Sequence, residues 1–95
     1  MAEFIIYTKQ SCEFCGYLKK YLNSKKKTYE EIDIYKVNSL QTIPFEYHDK
    51  ESFFKKLNEL VIWNTFPIVF KDNKFIGGYT ETKDFIQKEE AFQFL

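Results

Sequence analysis

A chain of 95 residues that is 44% hydrophobic, 20% aromatic and 29% charged has the composition of one folded domain, residues 1–95, and is too short for two cores. Fourteen acidic residues balance fourteen basic ones, and a net charge of zero excludes nucleic acid as a bulk polyanionic partner. Every basic residue is lysine, so each cationic contact comes from a point-like ammonium and none from a planar guanidinium.

Residues 3–8 (EFIIYT) are β-branched and aromatic, end at the polar KQS, and predict a buried strand. The apolar run 4–7 is too short for a signal-peptide core or a membrane span, so a soluble, cytoplasmic protein without membrane contact is expected. In that reducing compartment, a close cysteine pair serves catalysis or metal binding rather than stapling the fold.

Residues 15–23 carry Tyr17, Leu18, Tyr21 and Leu22 at helical spacing, with Lys19 and Lys20 on the other face. This predicts an amphipathic helix opening at or just after Cys12. NSKKKT breaks it; Lys25 to Lys27 form a solvated helix end or a patch that steers acidic clients. Residues 29–34 (YEEIDI) alternate as a second strand. Strand, helix and strand in so short a span form a βαβ unit with parallel strands and a right-handed crossover.

Residues 35–49 show no clear period and contain Pro44; His48 is expected to be a surface loop residue. From about Lys50, a helix is predicted from Phe53, Phe54, Leu57, Leu60 and Val61. Trp63 is expected in the core or in a groove wall. Residues 68–70, the KDNK turn and residues 74–76 make a short hairpin, followed by Gly77-Gly78. A last helix, roughly 80–92, would turn Phe85, Ile86 and Phe92 inward. The order β-α-β-α-β-β-α predicts an α/β sandwich, a small mixed sheet with helices on its faces.

Cys12 and Cys15 are the only cysteines. At a helix start, unpaired N–H groups and the positive dipole end favour a thiolate at Cys12. Such positions lower a thiol pKa from ~8.5 to roughly 3.5–7.5. Cys15, one turn inside, is expected to be less exposed and within reach of a disulfide with Cys12. Lys9 adds a cation to the loop, and Glu13 an anion that opposes the thiolate. Two other readings stand beside the redox one. The spacing also suits zinc, though only His48 remains as a further ligand of the usual kind, and the pair could be two inert buried thiols. In NTFPIVF, local sequence favours an ordinary trans proline at Pro67, whereas a cis bond would free the Phe66 backbone to pair with an extended peptide. In IGGYTET, two glycines permit unusual backbone angles and close approach of a ligand, and Thr80 is placed to cap the next helix. Free N–H groups there suit a carboxylate.

Together, KQSCEFC, TFP and GGYTE resemble the loops of the glutaredoxin family, in order and at similar distances, across nearly the whole chain. The resemblance implies a thioredoxin-like fold with a four-stranded mixed sheet, a cis Pro67, and a glutathione-dependent dithiol oxidoreductase acting through Cys12 and Cys15 on disulfide-containing clients and glutathione mixed disulfides. A monomer is expected. Glutathione, a co-substrate, would lie among Lys9, Phe14, Thr65, Phe66, Pro67, Gly77, Gly78, Thr80 and Glu81. Its cysteine backbone would pair with Phe66, its glycine carboxylate would lie near Lys9, and its γ-glutamyl end would reach Gly78, Thr80 and Glu81. No tightly bound cofactor or resident metal is expected. The family also allows a [2Fe–2S] cluster held by Cys12 of two chains and two glutathiones, and the fold allows a thioredoxin-like reductant charged by a flavoprotein reductase. The chain departs from the family pattern at Glu13 (for proline), Phe14 (for tyrosine), Glu81 (for aspartate) and Asn64 (for a basic residue).

Overall fold

A computed structural model describes residues 2–92. Strand β1 (Phe4–Thr8) runs into helix α1 (Glu13–Ser24), and β2 (Tyr29–Asp33) returns parallel to β1. Helix α2 (Lys50–Leu60), the hairpin β3 (Ile68–Lys71) and β4 (Lys74–Gly77), and helix α3 (Tyr79–Phe92) follow. The described residues thus form a mixed four-stranded sheet of order β2-β1-β3-β4 with three helices, β3 being antiparallel to both β1 and β4. This is the predicted element order. The hairpin turns through Asp72 and Asn73, both at positive φ, as a two-residue turn requires.

Alternation along β1 divides the interior in two. Phe4 and Ile6 face α1 and α3 and pack with Leu18, Leu22, Val69 and Ile86. Tyr7 faces the other way, into a core with Ile34, Tyr47, Phe53, Leu57, Ile68 and Phe70 under α2. Burial of each large apolar side chain contributes ~1.5–3 kcal/mol, so both layers are needed to fix the sheet. The second core is mostly aromatic: the Tyr7 and Phe53 ring centroids lie 4.4 Å apart, and those of Tyr47 and Phe53 5.2 Å. Its hydroxyls are paired, Tyr47 donating to Tyr7 at 3.2 Å. Burial away from water, first of all, pushes both phenols above their ordinary range.

Helical spacing overstated three positions. Tyr17 is exposed, Leu60 is 64% exposed at the end of α2, and Phe92 is 77% exposed rather than turned inward. Tyr17 lies at the surface beside Phe14 and Tyr79, and among the described residues neither core cluster takes in Leu60 or Phe92. Residue 34, expected to continue β2, instead opens a short 3-10 turn (Ile34–Lys36) capped by Asp33, whose carboxylate accepts the Tyr35 N–H at 3.0 Å. Residues 37–49 wrap α2's face of the sheet through a cis Ile43–Pro44 bond and a Gln41–Tyr47 bridge, which brings Tyr47 into the core. His48 is a surface residue, as expected.

Candidate active site

The loop from β1 turns into α1 through Ser11, whose φ of 59° lies in the left-handed region. Cys12 then takes the N-cap position with extended backbone, and its Sγ accepts the Cys15 N–H at 3.2 Å. A sulfur therefore does the work usually given to a serine or aspartate oxygen. Cys12 and Cys15 are joined by a disulfide. Cys12 remains half-exposed, whereas Cys15 is only 3% exposed. Once the bond is reduced, the sulfur free to act as a nucleophile is thus the one held against a helix N-terminus, where a negative charge is favoured.

Glu13, the anion expected to oppose that charge, is drawn along the helix: its carboxylate accepts the Tyr17 hydroxyl at 2.7 Å, and this bond pushes the Tyr17 phenol up. Phe14 packs edge-on against Tyr17, at 5.7 Å, and also contacts Tyr79. Lys9 lies 5.4 Å from the Phe66 ring centroid, which keeps its ammonium beside the loop before β3.

That loop carries the second part of the site. The Phe66–Pro67 bond is cis, and among the described residues neither the Phe66 N–H nor its C=O has a hydrogen-bond partner. Trp63 is a groove wall. Its Nε1 donates to the Thr65 carbonyl at 3.0 Å and its ring packs on Phe75. The third part is the β4–α3 junction, where the two glycines have separate reasons. Gly77 has a φ of 135°, and a Cβ there would strike the Glu81 side chain at 2.7 Å. At Gly78 a Cβ would crowd Trp63 at 3.2 Å and the Pro67 carbonyl at 3.3 Å, so glycine lets two groove walls close on each other.

Thr80 does not cap α3. The helix starts one residue earlier, at Tyr79, and Glu81 reaches back to accept the Gly78 N–H at 2.9 Å, while Thr82 donates to the Gly78 carbonyl. This is the back-reaching half of a capping box, since Gly78 has no side chain to return the bond, and it fixes the helix start where the chain itself supplies the acceptor.

The three segments enclose one groove of about 560 Å³. It brings together Lys9, Cys12, Phe14, Thr65, Phe66 and Pro67, together with Gly78, Thr80 and Glu81. Two of the sequence-derived site residues lie outside it: Cys15 sits behind Cys12 and is buried, and Gly77 is buried under Glu81. Glu13, Trp63, Asn64 and Tyr79 also line the groove. Trp63 was expected in the core or in a groove wall, and Tyr79 lies within the GGYTE motif, although that motif did not single it out as a site residue. Asn64 stands in the wall, so the only cation among the groove-lining residues is Lys9. No group of three or more His, Cys, Asp or Glu side chains among the described residues is arranged to hold a metal ion. No helix among the described residues is long and apolar enough to cross a membrane.

A Cys-x-x-Cys pair at the start of the first helix, beside a cis-proline loop on a mixed sheet of this order, defines a thioredoxin-like fold. The chain belongs to the glutaredoxin family, whose sequence model matches residues 4–76. It is 38% identical over 74 residues to glutaredoxin 1 of Rickettsia typhi, a match covering 78% of this chain and 61% of that protein. The chain thus spans about three fifths of the length of that relative (61%). Among solved structures, glutaredoxin 1 from Francisella tularensis complexed with cacodylate superposes with a TM-score of 0.70 at 23% identity, covering 96% of this chain and 99% of that one. A buckwheat glutaredoxin–glutathione complex superposes with a TM-score of 0.71 at 18% identity, covering 97% and 74%. These likenesses are in fold.

Proposed function

We propose that the chain is a glutathione-dependent thiol–disulfide oxidoreductase, acting as a single-domain monomer in the cytoplasm. The observation that carries this reading is the asymmetry of the Cys12–Cys15 disulfide, one sulfur reachable at a helix N-terminus and the other buried behind it. In the reduced protein the Cys12 thiolate attacks the glutathionyl sulfur of a mixed disulfide. The old S–S bond breaks, the client thiolate leaves and takes a proton, and Cys12 becomes glutathionylated. A second glutathione thiolate then attacks that bond, regenerates the Cys12 thiolate and leaves as oxidised glutathione. With a client disulfide, Cys12 forms a mixed disulfide with the client and Cys15 displaces it. The client is reduced by two electrons and the two cysteines are left in the oxidised form described above, from which two glutathiones restore the dithiol.

The groove supports glutathione as the electron donor. The unpaired Phe66 backbone suits the peptide's cysteine, Lys9 suits its glycine carboxylate, and the first-turn N–H groups of α3 at Tyr79 and Thr80, beside Gly78, suit the γ-glutamyl carboxylate. Glu81 would face the peptide's ammonium from its capping position. The test is turnover of a glutathione mixed disulfide coupled to glutathione reductase and NADPH. Wild type and Cys15→Ser are both expected to turn over, with Cys15→Ser losing reduction of protein disulfides. Absence of turnover by both proteins would reject the reading.

A further inference from the structure

Beyond the groove, on the Lys9 side, the turn after β2 presents an aromatic and cationic surface. Tyr35 is 56% exposed, and its ring lies 6.2 Å from that of Phe66. Lys50, at the start of α2, is held 4.6 Å from the Tyr35 centroid, and Lys9 stands over Phe66. A cleft of about 350 Å³ lies beside Tyr35, bordered by Lys9, Gln10, Asp33 and Lys36. Lys9 and Gln10 therefore belong to the walls of a second depression that continues from the Cys12 groove.

The charges of this surface are sorted. Asp33 and Asp49 each place one carboxylate oxygen on a backbone N–H, that of Tyr35 at 3.0 Å and that of Ser52 at 2.8 Å, and the second Asp49 oxygen faces His48 at 3.4 Å. The Lys36 ammonium is 71% exposed and only loosely paired with Asp33, at 3.9 Å. The opposite flank of the groove has the reverse sign, with Glu13 and Glu81 on its rim. An extended segment seated on Phe66 thus meets ammonium groups and an aromatic ring on one side and carboxylates on the other.

We propose that the Tyr35 cleft is a docking surface for client proteins, and that it selects disulfides flanked by an acidic segment carrying an apolar side chain. The apolar side chain enters the cleft beside Tyr35, and its neighbouring carboxylates meet Lys36 and Lys50. Contacts made by point-like ammonium groups at an exposed rim act mainly through encounter rate and are screened by salt. The proposal rests on the reading of Cys12 as the nucleophile toward client disulfides.

The test uses two peptides with an internal disulfide and the same apolar residue, one flanked by aspartates and the other by lysines, with glutathione and glutathione reductase restoring the enzyme. The wild type is expected to favour the acidic peptide in kcat/KM by about tenfold at low ionic strength, the lower end of electrostatic steering, and less in high salt. Lys36→Glu/Lys50→Glu should erase or invert that ratio while leaving unchanged the turnover of a small mixed disulfide of glutathione with an uncharged thiol. Lys36 is exposed and Lys50 half-buried beside Tyr35, and an acidic residue in the first turn of α2 suits the helix dipole. Tyr35→Ala should lower kcat/KM for both peptides without moving their ratio. An acidic-to-basic ratio equal in wild type and double variant overturns the docking surface and leaves the function standing. Failure of wild type on the small mixed disulfide as well removes both.

Discussion

Helix α2 begins on a closed capping box: the Ser52 N–H donates to the Asp49 carboxylate, and the Asp49 N–H to the Ser52 hydroxyl at 3.1 Å. Helix α1 begins on a single sulfur, Cys12 Sγ, which receives the Cys15 N–H and nothing reciprocal. Both ends carry the same partial positive charge. In α2 it is spent on a residue that has no further chemistry, so the end is structural. In α1 it falls on an atom that can exchange partners, so the interaction that starts the helix also stabilises the thiolate it would release. The comparison separates two uses of one physical feature, and it can be broken at either end.

The largest effect is expected at the sulfur. Cys12→Ser keeps an N-cap acceptor while removing the nucleophile, so turnover of glutathione mixed disulfides and of client disulfides should both vanish, with little loss of thermal stability against the reduced wild type. Cys12→Ala should lose the same activity and also ~1 kcal/mol of stability through the missing cap. Coupled turnover together with urea denaturation of the reduced proteins measures both. Residual full activity in Cys12→Ser would mean that the sulfur at the α1 start is only a cap, like Asp49.

The sequence made the α1 end legible for a local reason. A short β-branched strand, a polar turn, two cysteines one helical turn apart and an amphipathic stripe all lie within adjacent residues, so position along the chain was enough to place Cys12 at the helix start. The α2 end was not legible in the same way. Its helix was expected from about Lys50, but the box that fixes it rests on Asp49 and Ser52, next to a segment without period. Residues 37–49 are shaped by one bridge and by packing against the sheet, and nothing near Tyr47 in sequence reveals that Tyr7 receives its hydroxyl hydrogen bond. The groove shows the same division. Its three motifs could be found separately, but the start of α3 at Tyr79 is set by Glu81 reaching back three residues to the Gly78 N–H, a local alternative to a Thr80 cap that residue type alone did not decide. The exposures of Leu60 and Phe92 likewise depend on what packs beside them, and among the described residues neither joins a core cluster.

An intermediate effect sharpens the structural character of the α2 side. The ring of Tyr47 fills the space between Phe53, Phe45 and Tyr7. Tyr47→Ala should cost ~3–5 kcal/mol, the range for truncating a buried aromatic ring. Tyr47→Phe removes only the bond to Tyr7 and should cost about 1 kcal/mol, with the site's turnover unchanged at neutral pH. The pair also sets an alkaline limit. Both phenols are held above the ordinary value of 10.0, so their contribution is fully present below that pH. It falls as pH rises past it, because the unfolded chain ionises first. Urea midpoints between neutral pH and pH values above about 10 should drop less steeply for Tyr47→Phe than for wild type, since one of the two titrating groups is gone. Equal slopes would show that the alkaline limit lies elsewhere.

The smallest effect lies at the α2 cap itself. The Ser52 backbone N–H, first among its partners, holds the Asp49 carboxyl below its ordinary value of 3.8. A carboxyl lowered in this way stabilises the fold at every pH above the unfolded value, and that contribution is lost as pH falls through the folded one. Asp49→Ala should therefore melt slightly below wild type by a constant margin from neutral pH down to about 4, and the margin should narrow under more acid conditions as wild-type Asp49 takes up its proton. Its turnover should match wild type at neutral pH, because Asp49 lies outside the groove lining. Melting curves across that range, paired with the glutathione-coupled assay, place the two helix starts side by side. An Asp49→Ala protein that melts normally but turns over slowly would make the α2 start part of the chemistry and erase the distinction from α1.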